Sequence, residues 1–128
     1  MIVDSSVLIA ELRGQTSNAV QILRAAILQQ NVVIGDLILL EILQGARDEQ
    51  HAVLLQAQLL RFPIVEMMNA SVAIEAARNF RALRARGIAV RKTIDLIIGT
   101  YCILSGHALL QQDRDFSAMA EHLGLRLA

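Results

Sequence analysis

The chain begins Met1-Ile2-Val3-Asp4-Ser5-Ser6-Val7-Leu8-Ile9-Ala10, an apolar run that holds a single acid and two serines. Ile2-Val3 predicts a short strand, and Ser5 or Ser6 is expected to cap the helix that follows it. An apolar strand that passes at once into a helix is typical of a parallel sheet covered on both faces. Asp4 would then lie at the carboxyl end of its strand, where ligands of such sheets gather.

The same alternation of strand and helix continues along the chain. Further strands are predicted at 32–34, 64–66, 107–111 and 125–127, and helices at 17–29, 36–44, 48–60, 69–86, 93–105 and 116–122. Asp36 and Thr93 are the expected caps of their helices. We predict an α/β fold, a three-layer α/β/α sandwich with a central, mostly parallel sheet. A length of 128 residues favours a single domain.

The composition limits the class of protein. Apolar residues make up 55% of the chain and the mean hydropathy is +0.48, which excludes intrinsic disorder. Aromatic residues account for only 3%, so we expect spare aliphatic surface that is buried against another chain. No apolar run approaches the roughly 20 residues that span a bilayer, and no basic segment precedes Ile2. The lone Cys102 fits a reducing cytoplasm, and the three histidines lack zinc-site spacing.

The formal net charge is zero, but the basic residues are unevenly placed. Half of the twelve fall within 78–92, and no acid lies between Glu75 and Asp95. They are Arg78, Arg81, Arg84, Arg86, Arg91 and Lys92. Arginine suits bidentate phosphate contacts, so these side chains are candidates for holding a nucleic-acid backbone. A solvated helix face is the alternative.

Acidic residues interrupt the apolar segments at four places: Asp4, Glu41, Asp95 and the pair Asp113/Asp115. A buried, unpaired carboxylate is costly, and one hard cation such as Mg²⁺ would account for all four places. Local alternatives exist: a helix cap for Asp4, an exposed helical position for Glu41, and the helix dipole for Asp95. Within the pair, we assign Asp113 to the metal and Asp115 to capping the next helix.

These segments, in this order, resemble the PIN-domain ribonucleases, and specifically the VapC-type toxins of bacterial toxin–antitoxin pairs. The matching segments span nearly the whole chain: 1–10, 40–45, 80–88, 93–100 and 109–116. No single segment is specific, but the ordered set is. One position departs from the family pattern. A Thr or Ser commonly stands two residues before the fourth acid, and here that residue is Gln111.

The resemblance implies one PIN-like nuclease domain over 1–128 that hydrolyses RNA phosphodiester bonds with metal-activated water. Asp4, Glu41, Asp95 and Asp113 would bind Mg²⁺ or Mn²⁺, with support from the Ser6 hydroxyl (or that of Ser5) and from Asp115. It also implies a homodimer and a VapB-like antitoxin, whose C-terminal segment would place a basic side chain near the acids. The expected protein is therefore a cytoplasmic, metal-dependent endoribonuclease.

Three other interpretations stay open at the level of sequence. The same scaffold could serve a PIN nuclease of RNA processing or a structure-specific DNA nuclease. A third possibility is a non-catalytic α/β module whose acids bind a basic partner peptide. The chain lacks a nucleophile elbow, a P-loop and a GxGxxG motif. This absence agrees with metal-assisted hydrolysis, which needs no nucleophilic side chain.

Overall fold

The centre of the fold is a parallel sheet of very short strands. The computed structural model describes residues 1–128, with strands β1 (Ile2–Val3), β2 (Ile34–Gly35), β3 (Ile64–Val65) and β4 (Leu109–Leu110). β1 pairs with β4 and β2 pairs with β3, both in parallel. A bridge from Ile2 to Val33 joins the two pairs, and a bridge from Leu109 to Leu127 adds the C-terminal segment. The spatial order is therefore β3–β2–β1–β4 followed by Leu127.

Seven α-helices surround this sheet: α1 (Ser5–Leu12), α2 (Asn18–Leu28), α3 (Asp36–Gln44), α4 (Glu49–Leu59), α5 (Ala70–Ala85), α6 (Thr93–Ser105) and α7 (Ser117–His122). A 3-10 turn, Arg114–Phe116, leads into α7. α1 packs against α2 and α3, and α3 packs against α4. On the other side, α5 packs against α6, and α6 contacts the 3-10 turn.

The burial of the strands shows that both faces of the sheet are covered. Ile2 and Val3 are fully buried, as are Leu109 and Leu110, and successive residues of a strand point to opposite faces. The core is almost entirely aliphatic, with Phe116 as its one buried aromatic side chain. The predicted three-layer α/β/α sandwich with a parallel sheet is thus confirmed. None of the helices has both the length and the apolar character needed to cross a membrane.

Local structure departs from prediction mainly at the starts of helices. Asp4, rather than Ser5 or Ser6, caps α1, because its backbone is still extended and its side chain accepts a hydrogen bond from the Ser6 N–H. Gly35, rather than Asp36, occupies the cap of α3. The Asp36 carboxylate instead accepts hydrogen bonds from Leu37 N (2.8 Å) and Met67 N (3.1 Å), so it ties the start of α3 to the segment after β3.

Two further predictions were wrong in detail. Lys92, rather than Thr93, is the residue before α6, and its side chain makes no capping hydrogen bond. The predicted strand at 125–127 reduces to the single bridge at Leu127. β1 matches the predicted Ile2-Val3, whereas β2, β3 and β4 are shorter than predicted, at two residues each, because the chain soon leaves the sheet. By contrast, the predicted helix at 48–60 is confirmed as α4, with Asp48 as its cap.

Candidate metal centre

The candidate site lies at the carboxyl ends of the two neighbouring strands β1 and β4. Asp4 follows β1 directly, and its N–H donates a 2.9 Å hydrogen bond to the carbonyl oxygen of Leu110, the last residue of β4. The segment from Gln111 to Asp115 continues from that strand end. Parallel pairing therefore brings the first acid of the chain beside the last two.

Asp4 is buried and only half satisfied. The residue is 3% exposed. Its Oδ2 accepts hydrogen bonds from the Ser6 hydroxyl (2.6 Å) and from the Ser6 N–H (3.1 Å). Oδ1 is buried without a hydrogen-bond partner. Burial raises the pKa of Asp4 above its usual value, and the hydrogen bonds from Ser6 offset part of that rise. Ser6 thus fixes one oxygen and leaves the other available.

Glu41 and Asp95 present the same pattern from two helices. Glu41 lies on α3, and Asp95 lies in the first turn of α6 and is 6% exposed. Glu41 Oε1 and Asp95 Oδ2 are each buried without a partner. Burial is the main reason that the pKa of Glu41 is raised and that the pKa of Asp95 is raised to about 7. The helix dipole alone therefore does not satisfy Asp95.

The three acids lie in one electrostatic neighbourhood. The charge of Asp4 raises the pKa of both Glu41 and Asp95, and Glu41 raises the pKa of Asp95. Asp4 after β1, Glu41 on α3 and Asp95 on α6 therefore lie on the same side of the molecule. Three unpartnered carboxylate oxygens at mutually repelling positions suit a hard divalent cation, which prefers such oxygens and offsets their repulsion. Their role as metal ligands stays a prediction.

The capping role that we assign to Asp115 belongs to Asp113. Asp113, rather than Asp115, is the capping residue, because its Oδ1 accepts a 3.1 Å hydrogen bond from the Asp115 N–H at the start of the 3-10 turn. Gln111 Oε1 in turn accepts a 2.7 Å hydrogen bond from the Asp113 N–H. One carboxylate oxygen from each of Asp95, Asp113 and Asp115 lies within 4.8 Å of the other two. Both members of the pair therefore stand beside Asp95, whereas Asp4 and Glu41 fall outside this group of three.

Lys92 lies against these acids. Its Nζ is 3.6 Å from Asp115 Oδ2 and 3.9 Å from Asp113 Oδ2. The charges of Asp95 and then Asp113 raise the pKa of Lys92. The sequence predicts Lys92 as an RNA contact together with the arginines. In the structure its ammonium group lies beside the carboxylates of Asp113 and Asp115. Its positive charge offsets part of the negative charge of Asp113 and Asp115.

The remaining basic candidates differ in their contacts. Arg78 is paired with Glu75 on the same helix at 2.5 Å, and the Arg84 guanidinium lies 5.8 Å from the centre of the Phe80 ring. Arg81 and Arg86 are exposed. Only Arg91 joins Lys92 in lining the cavity beside Asp95. Among the five arginine candidates, Arg91 is therefore the one that shares a cavity with Asp95.

Sequence reasoning missed one side chain at the site and named a second only as an alternative. Arg114 lines the same cavity as Asp95 and Asp115, although it was not among the basic candidates. Its position between Asp113 and Asp115 was the available signal. The second is Ser5, which we kept only as a substitute for Ser6. Interaction with the Ser5 side chain lowers the pKa of Glu41, so the two serines serve different acids.

Comparison with known proteins bears on the family and the fold. A family model described as the PIN domain matches residues 1–122. Three solved structures resemble the chain over 99% of its length, and the chain covers 95–96% of theirs. They are VapBC2 of Rickettsia felis bound to a promoter DNA fragment (TM-score 0.78, 16% identity), DNA-bound VapBC of Salmonella typhimurium (0.75, 15%) and VapBC-1 of nontypeable Haemophilus influenzae (0.76, 15%). At such identities the structural likeness supports the fold alone. The family model covers nearly the whole chain, so the chain belongs to the PIN domain family.

Proposed function

We propose that this chain is a metal-dependent endoribonuclease and the toxin component of a type II toxin–antitoxin pair. One observation carries the proposal: Asp4 Oδ1, Glu41 Oε1 and Asp95 Oδ2 are buried acceptors without partners. Such groups are rare in folded proteins because each costs free energy, and divalent metal bound among the acids would supply the missing partners. Membership of the PIN family supports a nuclease.

The metal set consists of Asp4, Glu41, Asp95 and Asp113, with Asp115 in support and Mg²⁺ or Mn²⁺ as the cofactor. A bound divalent ion of this kind polarises a phosphoryl oxygen and lowers the pKa of water. The protein contributes the arrangement. Ser6 holds Oδ2 of Asp4, Gln111 holds the backbone of Asp113, and Lys92 limits the repulsion between Asp113 and Asp115.

RNA is the proposed substrate, held by the basic residues around the site. Arg81, Arg86 and Arg91 are exposed and form no ion pair within the chain, so they are free to contact phosphates. Arg84 packs over Phe80, and Arg78 is already paired, so we expect smaller contributions from these two. Each phosphate contact adds affinity that falls as salt concentration rises.

The proposed partners are a VapB-like antitoxin and a second copy of the chain. The similar structures are VapBC complexes, and this favours the same kind of partner here. Exposed apolar side chains also favour burial against another chain. Val53 and Leu54 on α4 are 66% and 64% exposed, and Ile74 on α5 is 61% exposed. We further propose that 1–128 acts as one nuclease domain in the cytoplasm.

The decisive experiment compares the purified wild type with Asp95→Asn on defined single-stranded RNA, duplex RNA and duplex DNA, with Mn²⁺ or with EDTA. Glu66→Gln serves as the matched control, because Glu66 is exposed and lies outside the acid cluster. We expect Mn²⁺-dependent RNA cleavage by the wild type and by Glu66→Gln. In Asp95→Asn the rate should fall by about 1,000-fold, since the ion stabilises the transition state by several kcal/mol.

Each other outcome points elsewhere. Equal cleavage by the wild type and Asp95→Asn would mean that the activity belongs to a contaminant, and the nuclease proposal would be wrong. Cleavage of duplex DNA alone would favour a structure-specific DNA nuclease. No cleavage of any substrate, together with tight binding of a basic peptide by the acids, would favour the non-catalytic module.

A further inference from the structure

A cavity of about 400 Å³ opens directly beside the carboxylates. It lies between the end of α5, the segment that leads into α6, and the 3-10 turn with α7. Asp95 and Asp115 form one part of its lining. A ligand in this cavity would therefore touch the groups that we propose to serve catalysis.

The rest of the lining divides into an apolar part and a basic part. Leu83, Ile88, Val90 and Met119 contribute aliphatic and thioether surface. Three cations, Arg91, Lys92 and Arg114, belong to the same cavity, and all three are exposed residues. Apolar walls with a few convergent charged groups are typical of small-molecule sites, and the basic groups select an anionic ligand.

We infer that this cavity is the binding site for one unpaired nucleotide of the substrate, next to the bond that is cleaved. The inference rests on the proposed nuclease function and adds the place where the substrate is recognised. The flat faces of the base lie against the apolar walls, and a phosphate group contacts Arg114 and Arg91. Lys92 stands between this phosphate and the acids, because its Nζ is already 3.6 Å from Asp115.

The size and chemistry of the cavity favour a single unpaired nucleotide. Ligand pockets of about 300–1,000 Å³ hold small molecules of this class, and the cavity falls at the low end of that range. A paired base carries its partner strand and would not fit. The walls contain no aromatic side chain. Base recognition therefore depends on apolar contact rather than on aromatic stacking, and we expect weak discrimination between bases at this position.

The test follows binding of a nucleoside 5′-monophosphate by NMR of protein labelled at methionine and isoleucine methyl groups. Adenosine 5′-monophosphate should shift the Met119 and Ile88 signals. Met67 and Met68 serve as internal controls, because neither lines the cavity. Ala118→Leu, which adds bulk to the cavity wall, should weaken binding by about tenfold, and Arg114→Gln should weaken it by a similar factor.

Two controls separate a real site from a general effect. Ser117→Leu places the same side chain one residue away, at an exposed position outside the cavity, and should leave binding unchanged. Arg61→Gln removes an arginine that lines a different cavity and should also have no effect. Thermal melts of all four variants show whether each one folds.

The outcomes for the cavity and for the nuclease are distinguishable. Equal shifts with ribose 5-phosphate and with adenosine 5′-monophosphate would overturn the base-binding site. Cleavage of RNA by the wild type without any shift at Met119 would also overturn it, while leaving the nuclease proposal intact. Binding at Met119 that Ala118→Leu weakens, in a protein that cleaves no RNA, would support the nucleotide site and reject the nuclease.

Discussion

The Ser6 hydroxyl donates a 2.6 Å hydrogen bond to Oδ2 of Asp4, while Oδ1 of the same carboxylate is buried without a partner. A hydrogen-bond donor that orients a metal-binding side chain in this way typically contributes 10–100-fold to metal affinity. We therefore predict that Ser6→Ala weakens Mn²⁺ binding by about 10–100-fold, measured by calorimetry without RNA. Ser71→Ala, an exposed position on α5, is the control. Unchanged affinity in Ser6→Ala would show that Asp4 needs no orienting donor.

The raised pKa of Asp95 predicts an unusual pH dependence of stability. Its pKa moves from 3.8 to about 7 in the folded protein, so between these values the folded state binds more protons than the unfolded state. Without metal, the contribution of Asp95 to stability should therefore fall as pH rises from about 4 to about 7. Asp4 and Glu41 act in the same direction, because their pKa values are also raised.

Thermal melts in EDTA test this pH dependence. Asp95→Asn removes the charge that burial opposes, so this variant should melt higher than the wild type at pH 8, but not at pH 4.5. Saturating Mn²⁺ should raise the melting temperature of the wild type more at pH 8 than at pH 5, because the ion binds the ionised acids. If the stability of the wild type relative to Asp95→Asn rose from pH 5 to pH 8 in EDTA, the raised pKa of Asp95 would be contradicted.

Lys92 should separate metal binding from RNA cleavage. Its ammonium group lies within 4 Å of both Asp113 and Asp115, so it competes with a cation for the same charge. We predict that Lys92→Met tightens Mn²⁺ binding by about three- to tenfold, given roughly 1 kcal/mol of repulsion at this range. RNA cleavage should nevertheless decrease, because a phosphate contact is lost. Weaker Mn²⁺ binding would mean that Lys92 organises the acids rather than competing with the metal.

Gly99 leaves room for the end of the Met119 side chain between α6 and α7. A Cβ at Gly99 would meet Sδ and Cε of Met119, so the end of this side chain must move if a side chain is added. Gly99→Ala should destabilise the protein by about 1–3 kcal/mol in urea unfolding, and Met119→Ala in the same chain should recover part of the loss. Gly45→Ala is the control, because its Cβ would meet the nearest atom at 3.5 Å, an ordinary contact.

The sequence was sufficient for the architecture because the apolar pairs are unambiguous. Ile2-Val3 and Leu109-Leu110 are fully buried, and each pair passes directly into a polar segment at the same sheet edge. Parallel pairing then makes the approach of Asp4 to Asp113 a consequence of topology. The lengths of the strands were less accessible, because they depend on where each chain segment leaves the sheet.

Local capping could not be settled from sequence, because aspartate and serine accept the same hydrogen bond from a helix N–H. Asp4 caps α1 with one oxygen while the other stays unpartnered, so a capping role and a metal-binding role do not exclude each other. The contact of Lys92 with Asp115 could not be predicted from the sequence for a different reason. It joins segments that are distant in sequence, and no local pattern encodes it.

Cys102, the only cysteine of the chain, is buried on α6, and burial raises the pKa of its thiol to about 12. Alkylating reagents attack thiolates that solvent can reach, so the native protein should react with iodoacetamide very slowly. Its labelling rate therefore measures how often the core around α6 opens. Since Asp95 belongs to the same helix, protection of this thiol by Mn²⁺ would report ligation at the acids without any RNA, dye or added tag.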